Sequence, residues 1–207
     1  MIKFKKKCKQ CVKVKQKLYL KGSKCFSSSC VFEKKKEKDL LPKTRFRADN
    51  FMKNRLLSTR KIKNLFGITE NSLKRYIKNY QDNFLFILEN KIDFFLKTIT
   101  IFNSIYDSRQ NILFKRRIYI KRKNIEKVCS RHAVVIKEED IIIIKHLNKK
   151  EYNRIKNIKV KGISLEFSSD QSSVSVSRNI KEFEPQNVEK LFQIDKKLLI
   201  RYYNNIM

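Results

Sequence analysis

The chain has 207 residues, which is enough for one large domain or two small ones. Lys and Arg number 50 against 20 Asp and Glu, and the resulting net charge of +30 predicts a polyanionic partner. Nucleic acid is the leading candidate and an anionic membrane surface is the second. A hydrophobic content of 41%, with 15 Phe and 8 Tyr, excludes a simple disordered basic tail and predicts a packed core.

No segment has the pattern of a membrane span or of a leader. No run approaches the ~18 to 20 apolar residues that a span requires. The basic N-terminus lacks an apolar stretch ahead of a cleavage site. We therefore expect the chain to work in the compartment where it is made.

Paired cysteines near the N-terminus are the sharpest local signal. Two residues separate Cys8 from Cys11, and four separate Cys25 from Cys30. Such pairs favour a tetrahedral zinc site, and the surrounding lysines favour the thiolates that zinc binds. Two disulfides or four unrelated thiols are the alternatives that the spacing leaves open. Cys129 stands apart and is predicted to be a small buried hydrophobe.

A charged bridge and then helical periodicity follow the cysteines. Residues 33–48 are predicted to be an extended linker on an anionic surface, or else a solvated tether. A first helix is predicted from Asp49 to a stop at Gly67, and Thr69 is the predicted cap of a second. A third helix is predicted to hold the apolar residues of 84–95.

Short apolar runs in the second half predict a small sheet. Ser104 and Asp107 predict the start of a fourth helix, and Asp195 predicts the cap of a terminal helix that ends at Tyr203. A Ser-rich exposed hairpin is predicted over 168–178. The predicted strands are 118–120, 133–136, 141–144, 163–167 and 173–176.

Catalytic patterns do not stand out in the sequence. It has no glycine-rich phosphate loop and no arrangement of Ser, His and Asp or of Cys and His. His132 and His146 are predicted to be ordinary surface or RNA-facing residues. We therefore predict that the protein is not an enzyme.

Four segments, in order along the chain, carry a resemblance. They are CKQCVKVKQKLYLKGSKCFSSSCVFEKK (8–35), LLSTRKIKNLFGITENSLKRYIKN (56–79), KIDFFLKTITIFNSIYDSRQNILFKRRIYIKRKNI (91–125) with VVIKEEDIIII (134–144), and LEF (165–167) with IDKKLLIRYYNN (194–205). They look like the zinc arm, the basic helical segment, the compact RNA-binding module, and the closing strand and terminal helix of one family. That family is the bacterial and organellar type of small-subunit ribosomal protein S-four, in its zinc-arm form.

The chain departs from the family pattern in the module. Arg116 and Arg122 replace the glycines of its two turns, and a few extra residues lie between Ile125 and Val134. Because residues other than glycine avoid positive φ, these turns are predicted to use another backbone geometry.

The resemblance implies an α+β fold with two lobes. Residues 1–35 would form an N-terminal zinc-binding arm in which the four paired cysteines hold a structural Zn²⁺. Residues 36–90 would form a mainly helical rRNA-binding domain, which the C-terminal tail 151–207 completes. Residues 91–150 would form an inserted small mixed α/β RNA-binding module, a helix-turn-helix with a sheet.

The resemblance also implies a structural constituent of the small ribosomal subunit. It would bind a junction in the 5′ domain of small-subunit rRNA and nucleate assembly. It would contact neighbouring small-subunit proteins near the side where messenger RNA enters, and contribute to translational accuracy. The protein would be a monomer within the ribosome with no membrane partner. The alternative is an RNA-modifying or RNA-binding factor that carries the same module without being a ribosomal component.

The predicted RNA contacts are dispersed cations, because a shaped RNA junction offers phosphates in several directions. They are Lys5, Lys6, Lys7, Lys9, Lys21, Lys24, Lys43, Arg45, Arg47, Arg55, Arg60, Lys61, Lys63, Lys74, Arg75, Lys78, Arg109, Lys115, Arg116, Arg117, Lys121, Arg122 and Lys123.

The composition also bears on location. Residues with AT-rich codons such as Lys and Ile are abundant, whereas Gly and Pro number only 3 and 2. We therefore expect an organelle ribosome, first that of a relict, non-photosynthetic plastid of the apicoplast type. A mitochondrion and the cytoplasm of a reduced-genome bacterium are the alternatives.

Overall fold

The computed structural model describes residues 7–34, 50–137, 139–179 and 188–206, so most of the predicted linker lies outside the described residues. Short 3-10 helices cover Gly22–Cys25 and Gln81–Asn83. Among the described helices, none is long and apolar enough to cross a membrane. The α-helices are α1 (Lys7–Lys13), α2 (Val31–Lys34), α3 (Asn50–Leu65), α4 (Glu70–Tyr80), α5 (Phe84–Glu89), α6 (Ile92–Thr98), α7 (Ile105–Leu113), α8 (Lys149–Lys156), α9 (Val188–Leu191) and α10 (Lys196–Ile206).

The described strands form one antiparallel sheet in the order β2-β1-β3-β5-β4. They are β1 (Ile118–Arg122), β2 (Ile125–Val128), β3 (Ile141–Ile144), β4 (Ile163–Phe167) and β5 (Val174–Arg178). Their Ile and Val content suits a pleated, half-buried surface. The protein is therefore a mixed α and β protein, as predicted.

The chain divides into two compact units. The first unit combines the described parts of residues 1–86 and 187–207. In it, α10 packs against α3 and α4, and Ile62, Leu73, Ile77 and Leu199 are fully buried. The apolar faces of three amphipathic helices thus make a core that no single helix could close.

The second unit covers the described part of residues 87–186. Its core combines the apolar faces of α6, α7 and α8 with one face of the sheet. The fully buried members include Ile92, Leu96, Ile112, Ile118, Ile142, Ile144, Val174 and Val176.

Several predicted helix boundaries are confirmed by local hydrogen bonds. Gly67 follows α3 with a φ of 55°, the left-handed conformation that ends a helix and favours glycine. The Thr69 hydroxyl accepts from the Ser72 backbone N–H at 3.3 Å and caps α4. Ser104 caps α7 in the same way, and the Asp195 carboxylate accepts from the Leu198 N–H at 2.9 Å before α10.

The predicted third helix is wrong as a single element, because it is broken between α5 and α6. Lys91 has an extended backbone and forms an isolated antiparallel bridge with Val135. The Ile92 N–H donates to the Val134 carbonyl at 2.9 Å, and Ile136 N–H donates to the Asn90 carbonyl at 2.9 Å. Pairing with a distant segment therefore overrides the local helical periodicity.

The predicted strand 133–136 is wrong for the same reason. Its only ladder contact among the described residues is the Val135 bridge, and the second strand is instead β2, directly after β1. Helix α8 was not predicted, although Asn148 and Glu151 form a full capping box at its start.

The predicted module boundary at residue 150 differs from the structure. Strand β5 pairs with β3, and β4 pairs with β5, so both belong to the sheet that begins with β1. The second unit accordingly extends to residue 186, and only the last part of the predicted tail packs with the helical unit. The hairpin predicted to be exposed forms as β4 and β5, but Val174 and Val176 are buried.

The two turns that lack glycine behave differently. Arg116 has a φ of 49°, so the predicted change of backbone geometry is wrong there. Arg122 ends β1 as a strand residue, and positive φ falls on Lys123 (44°) and Asn124 (65°). Two successive positive φ values are the pattern of a type I′ hairpin turn.

Candidate metal centre and nucleic-acid interface

The four paired cysteines meet around one small cavity. Helix α1 carries Cys8 and Cys11 three residues apart, which places both on one side of the helix. Cys25 ends a 3-10 helix, and Cys30 directly precedes α2. All four line a cavity of about 10 Å³, close to the volume that one water-sized sphere occupies.

The surroundings of this cavity affect its thiols in two directions. Burial raises the pKa of Cys11, a hydrogen bond with the Leu18 backbone lowers it by less, and the nearby thiols of Cys25, Cys8 and Cys30 raise it slightly. The Lys21 backbone N–H donates to the Cys25 sulfur at 3.3 Å. Lys7, Lys17 and Lys21 also line the cavity, and Lys17 pairs with Glu33 at 2.7 Å.

The four thiols line one cavity, but their present positions do not form a metal site. All five cysteines are free thiols. In the part of the chain that the structure describes, no three His, Cys, Asp or Glu side chains form a group that could hold a metal ion as they stand. The structure thus collects the four predicted ligands, and a tetrahedral ion would require them to draw inwards.

Most of the predicted RNA-binding cations that the structure describes are at the surface. Lys5, Lys6, Lys43, Arg45 and Arg47 lie outside the described residues. Among the others, half-buried side chains are Lys7, Arg55, Lys63, Lys74, Arg117 and Lys121. The exposed ones are Lys9, Lys21, Lys24, Arg60, Arg75, Lys78, Lys115, Arg116, Arg122 and Lys123.

Lys61 is a correction to the predicted contact set. Its side chain is 8% exposed, and its ammonium donates to the Phe192 carbonyl at 2.9 Å and to the Gln193 carbonyl at 3.3 Å. These two carbonyls directly follow α9, which ends at Leu191, and the cation satisfies them as acceptors. Burial lowers the pKa of Lys61. This side chain joins the C-terminal segment to α3 and is not available to a phosphate.

Arg109 is the second correction. It is 7% exposed, and its guanidinium donates to one oxygen of fully buried Asp93, with both N–O distances 2.7 Å. The buried Lys91 ammonium lies 4.0 Å from the other Asp93 oxygen. These three residues form a buried ionic cluster, which fastens α7 to α6, and RNA could reach Arg109 only if the core opened.

Several surface cations already have protein partners. Arg122 contacts Asp140 through two short bonds of 2.6 and 2.7 Å, and this hydrogen-bonded pairing raises its pKa. Arg117 pairs with Glu151 at 3.3 Å, and Lys63 pairs with Glu70 at 2.9 Å. Such cations are held in position, but their charge is partly compensated.

Cys129, His132 and His146 have surroundings that fit the ordinary roles predicted for them. Cys129 is buried, and its thiol donates to the Arg131 carbonyl at 3.3 Å. His146 is exposed. His132 is half-buried, and burial followed by the charge of Arg109 lowers its pKa.

Lys127 and Arg131 are surface cations that the sequence did not single out. Both line a cavity beside the β1–β2 hairpin. Neither belongs to a periodic basic run in the sequence, so only the folded hairpin shows that they lie together.

Taken together, the fold and surface define a basic protein of mixed α and β structure with a thiol cluster near its N-terminus. No family model matches the chain. It is 24% identical over 212 residues to small ribosomal subunit protein uS4 of Halothermothrix orenii, covering 95% of this chain and 96% of that protein. It is 26% identical to uS4 of Maridesulfovibrio salexigens, covering 70% of this chain and 71% of that protein.

A shorter match is 30% identical over 95 residues to uS4A of Nitrosomonas europaea, covering 42% of this chain and 45% of that protein. The long matches run almost from end to end, as the ordered segments of the sequence predicted. The resemblance to the S-four type of ribosomal protein is thereby confirmed.

Proposed function

We propose that this protein is a structural component of the small ribosomal subunit. The observation that carries this function is the similarity to uS4 along 95% of the chain. A net charge of +30 fits a site within an RNA-rich particle, because RNA neutralises the repulsion among the cations. Neighbouring small-subunit proteins are then further partners.

Membership of the subunit can be tested in the host cell. An affinity-tagged chain should sediment with the small subunit on a density gradient and remain there after a moderate salt wash. Sedimentation only with free protein, or with an RNA-modifying complex, would contradict the proposal.

The finer part of the proposal is direct binding to the 5′ domain of small-subunit rRNA. Support comes from exposed cations that take part in no ion pair among the described residues, including Arg60, Arg75, Lys115 and Arg116. They lie on both units, so an RNA junction with phosphates facing several directions is a suitable partner. Arg116 is the strongest candidate for an RNA contact. Its backbone is left-handed, a conformation that glycine would adopt without strain, so the retained arginine points to a function of its side chain.

The binding test uses Arg116→Ala, Arg117→Ala and the double variant. Loss of one phosphate contact should lower the slope of log affinity against log salt by about 0.7–0.9. Arg116→Ala should show this loss, and Arg117→Ala should show less because Arg117 pairs with Glu151. The charge-matched control is Lys149→Ala with Lys150→Ala, two exposed residues of α8. Equal slopes for wild type and all variants would show that Arg116 and Arg117 face solvent and contact no phosphate.

We also propose that Cys8, Cys11, Cys25 and Cys30 bind one structural Zn²⁺. The four sulfur donors and their shared cavity fit a tetrahedral ion, and the Lys21 N–H already faces one sulfur. When bound, zinc would cross-link α1 to the segment that ends in α2. Among residues 7–34, the buried side chains apart from Cys11 and Cys25 are Val14, Leu18, Leu20 and Phe32, so the arm has a small apolar core of its own.

Native mass spectrometry tests the zinc proposal. Wild type prepared with zinc should carry one ion, and Cys8→Ser with Cys25→Ser should carry none and become sensitive to proteolysis within residues 7–34. Cys129→Ser is the matched control and should keep the ion. A metal-free wild type, or zinc retained by the double variant, would contradict the ligand assignment.

The proposal has four further parts. The protein joins the subunit early in assembly, lies near the side where messenger RNA enters, influences translational accuracy and has no catalytic activity. The abundance of residues with AT-rich codons supports a location in the ribosome of a relict plastid. The similarity to bacterial proteins also suits a ribosome in a bacterial cytoplasm. Depleting the protein should stall small-subunit assembly before later proteins join. Normal subunit profiles after depletion would contradict an early role.

A further inference from the structure

A cleft of about 420 Å³ lies beside the β1–β2 hairpin, and we call it the hairpin cleft. Cross-strand partners in an antiparallel pair share one face of the sheet. The pairs Ile120 with Lys127 and Arg122 with Ile125 therefore face the cleft together. Lys123, Val128 and residues of the segment 129–134 supply the rest of its lining. The volume lies within the usual range for small-ligand sites.

The inner surface of the hairpin cleft is apolar. Ile120 and Cys129 form a buried floor, and Val134 contributes from the following segment. Ile125 also lines the cleft, yet its side chain is 58% exposed. All four residues of β2 are exposed, so in the described structure this end of the sheet extends beyond the packed core. The cleft therefore offers apolar surface that a planar ligand could cover.

The rim of the cleft is basic. Lys123, Lys127 and Arg131 line it, and none of them belongs to an ion pair among the described residues. Arg122 is held by Asp140 and also donates to the Val135 carbonyl at 3.2 Å. Glu126, the acidic residue of β2, pairs with Lys145. A ligand with negative charge on either side of an apolar centre would match this arrangement.

The hairpin tip holds one of these cations in an unfavourable backbone conformation. Lys123 and Asn124 both have positive φ, which Asn tolerates and Lys does not favour. Retaining a strained residue in a tight turn is a reason to look for a function of its side chain. Lys123 is exposed and lines the cleft.

We propose that the hairpin cleft binds one unstacked nucleotide of single-stranded RNA. The base would cover the apolar surface of Ile120, Ile125 and Val134, and its flanking phosphates would meet Lys123, Lys127 and Arg131. This inference rests on the proposed RNA-binding function and adds a site for an unpaired base. A nucleotide suits the cleft better than an acidic peptide, because it combines a flat apolar face with a charge on each side.

The probes are a fluorescent oligouridylate and an abasic ribose-phosphate oligomer of the same length. Both carry the same phosphates, so their difference in affinity reports contact with the base. Wild type should bind the oligouridylate more tightly than the abasic oligomer, because only the oligouridylate has bases that can cover the apolar surface of the cleft. Ile125→Asp should abolish this preference, and the exposed position of the side chain makes misfolding an unexpected outcome.

The cationic rim is tested separately with Lys127→Ala and Arg131→Ala together. Each lost single-strand phosphate contact should lower the salt slope by about 0.7, for both oligomers. Lys149→Ala with Lys150→Ala removes the same charge from exposed positions on α8 that do not line the cleft, and should retain the base preference. A photoreactive 4-thiouridine in the oligomer should cross-link within residues 120–134.

Equal binding of the two oligomers to wild type would overturn the proposal, as would cross-links confined to other segments. Stronger competition by an oligoglutamate peptide than by the oligouridylate would overturn it too and would indicate a protein-binding cleft. Failure of the proposed ribosomal function would look different. In that case the chain would not bind the 5′-domain rRNA fragment or the small subunit, whatever its preference between the oligomers.

Discussion

The buried cluster of Lys91, Asp93 and Arg109 leads to the sharpest prediction about stability. The Arg109 guanidinium contacts Asp93 at 2.7 Å, and both side chains are withdrawn from water. Removing one partner of a buried ion pair usually costs about 3–5 kcal/mol, because the other charge stays buried without compensation. Arg109→Ala should fall at the low end, about 3 kcal/mol, because Lys91 still lies 4.0 Å from Asp93.

Asp93→Ala should be more damaging than Arg109→Ala. It would leave two buried cations facing each other, and burial already lowers the pKa of Lys91. Since a domain is stable by only about 5–15 kcal/mol, this variant should approach complete unfolding of the second unit. Replacing all three residues with apolar side chains of similar size should recover much of the loss.

Urea unfolding of the full chain, followed by circular dichroism, measures these effects. With a urea dependence of about 1–3 kcal/mol per molar, Arg109→Ala should lower the midpoint by about 1–3 M. Lys115→Ala, which removes the same charge from an exposed position, should change it little. The reasoning would be refuted if Arg109→Ala kept wild-type stability while lowering the salt slope for rRNA, since Arg109 would then be an RNA contact.

Lys61, Arg116 and the cysteine cluster lead to further predictions. Lys61→Ala should destabilise the helical unit by about 1–3 kcal/mol in thermal unfolding, because two carbonyls lose their donor, whereas neighbouring Arg60→Ala should mainly weaken RNA binding. Arg116→Gly should stabilise the chain by about 0.5–1 kcal/mol, since its φ is 49°, and should also weaken rRNA binding; a loss of stability would contradict the assigned strain. Burial raises the pKa of Cys11 above its ordinary 9.0. The protonated Cys11 thiol should therefore contribute fully to the stability of the metal-free arm below pH 9.0, and this contribution should disappear as the pH rises through the pKa of Cys11 in the folded protein. Zinc binding, measured by competition with a chelator, should strengthen as the pH rises, and a pH-independent affinity would argue against thiolate ligands.

Local chemistry made several features predictable from the sequence. Gly67, Thr69 and Asp195 mark helix ends because a cap acts within one turn and needs only its immediate neighbours. The strand Ile141–Ile144 is a run of β-branched residues. The capping box of Asn148 and Glu151 was an equally local signal for α8 and could have been used.

Distant pairing explains the features that were predicted wrongly. Lys91 lies within the segment 84–95, whose apolar residues follow a helical pattern, yet its bridge to Val135 breaks the predicted helix in two. The same bridge draws the segment 133–136 away from the main ladder. Strand β5 lies far along the chain from β3, and only their pairing shows that the second unit continues past residue 150.

The sequence by itself determined the basic character, the caps, most of the strands and the cysteine spacing, because these depend on residues close together in the chain. Tertiary structure decided which cations remain accessible. Lys61 and Arg116 are both cations within basic runs, but one donates to carbonyls from the C-terminal segment while the other is exposed. Burying a charge requires partners to compensate the lost hydration. Such partners can come from more than a hundred residues away, as the Phe192 carbonyl does for Lys61, and no local pattern shows them.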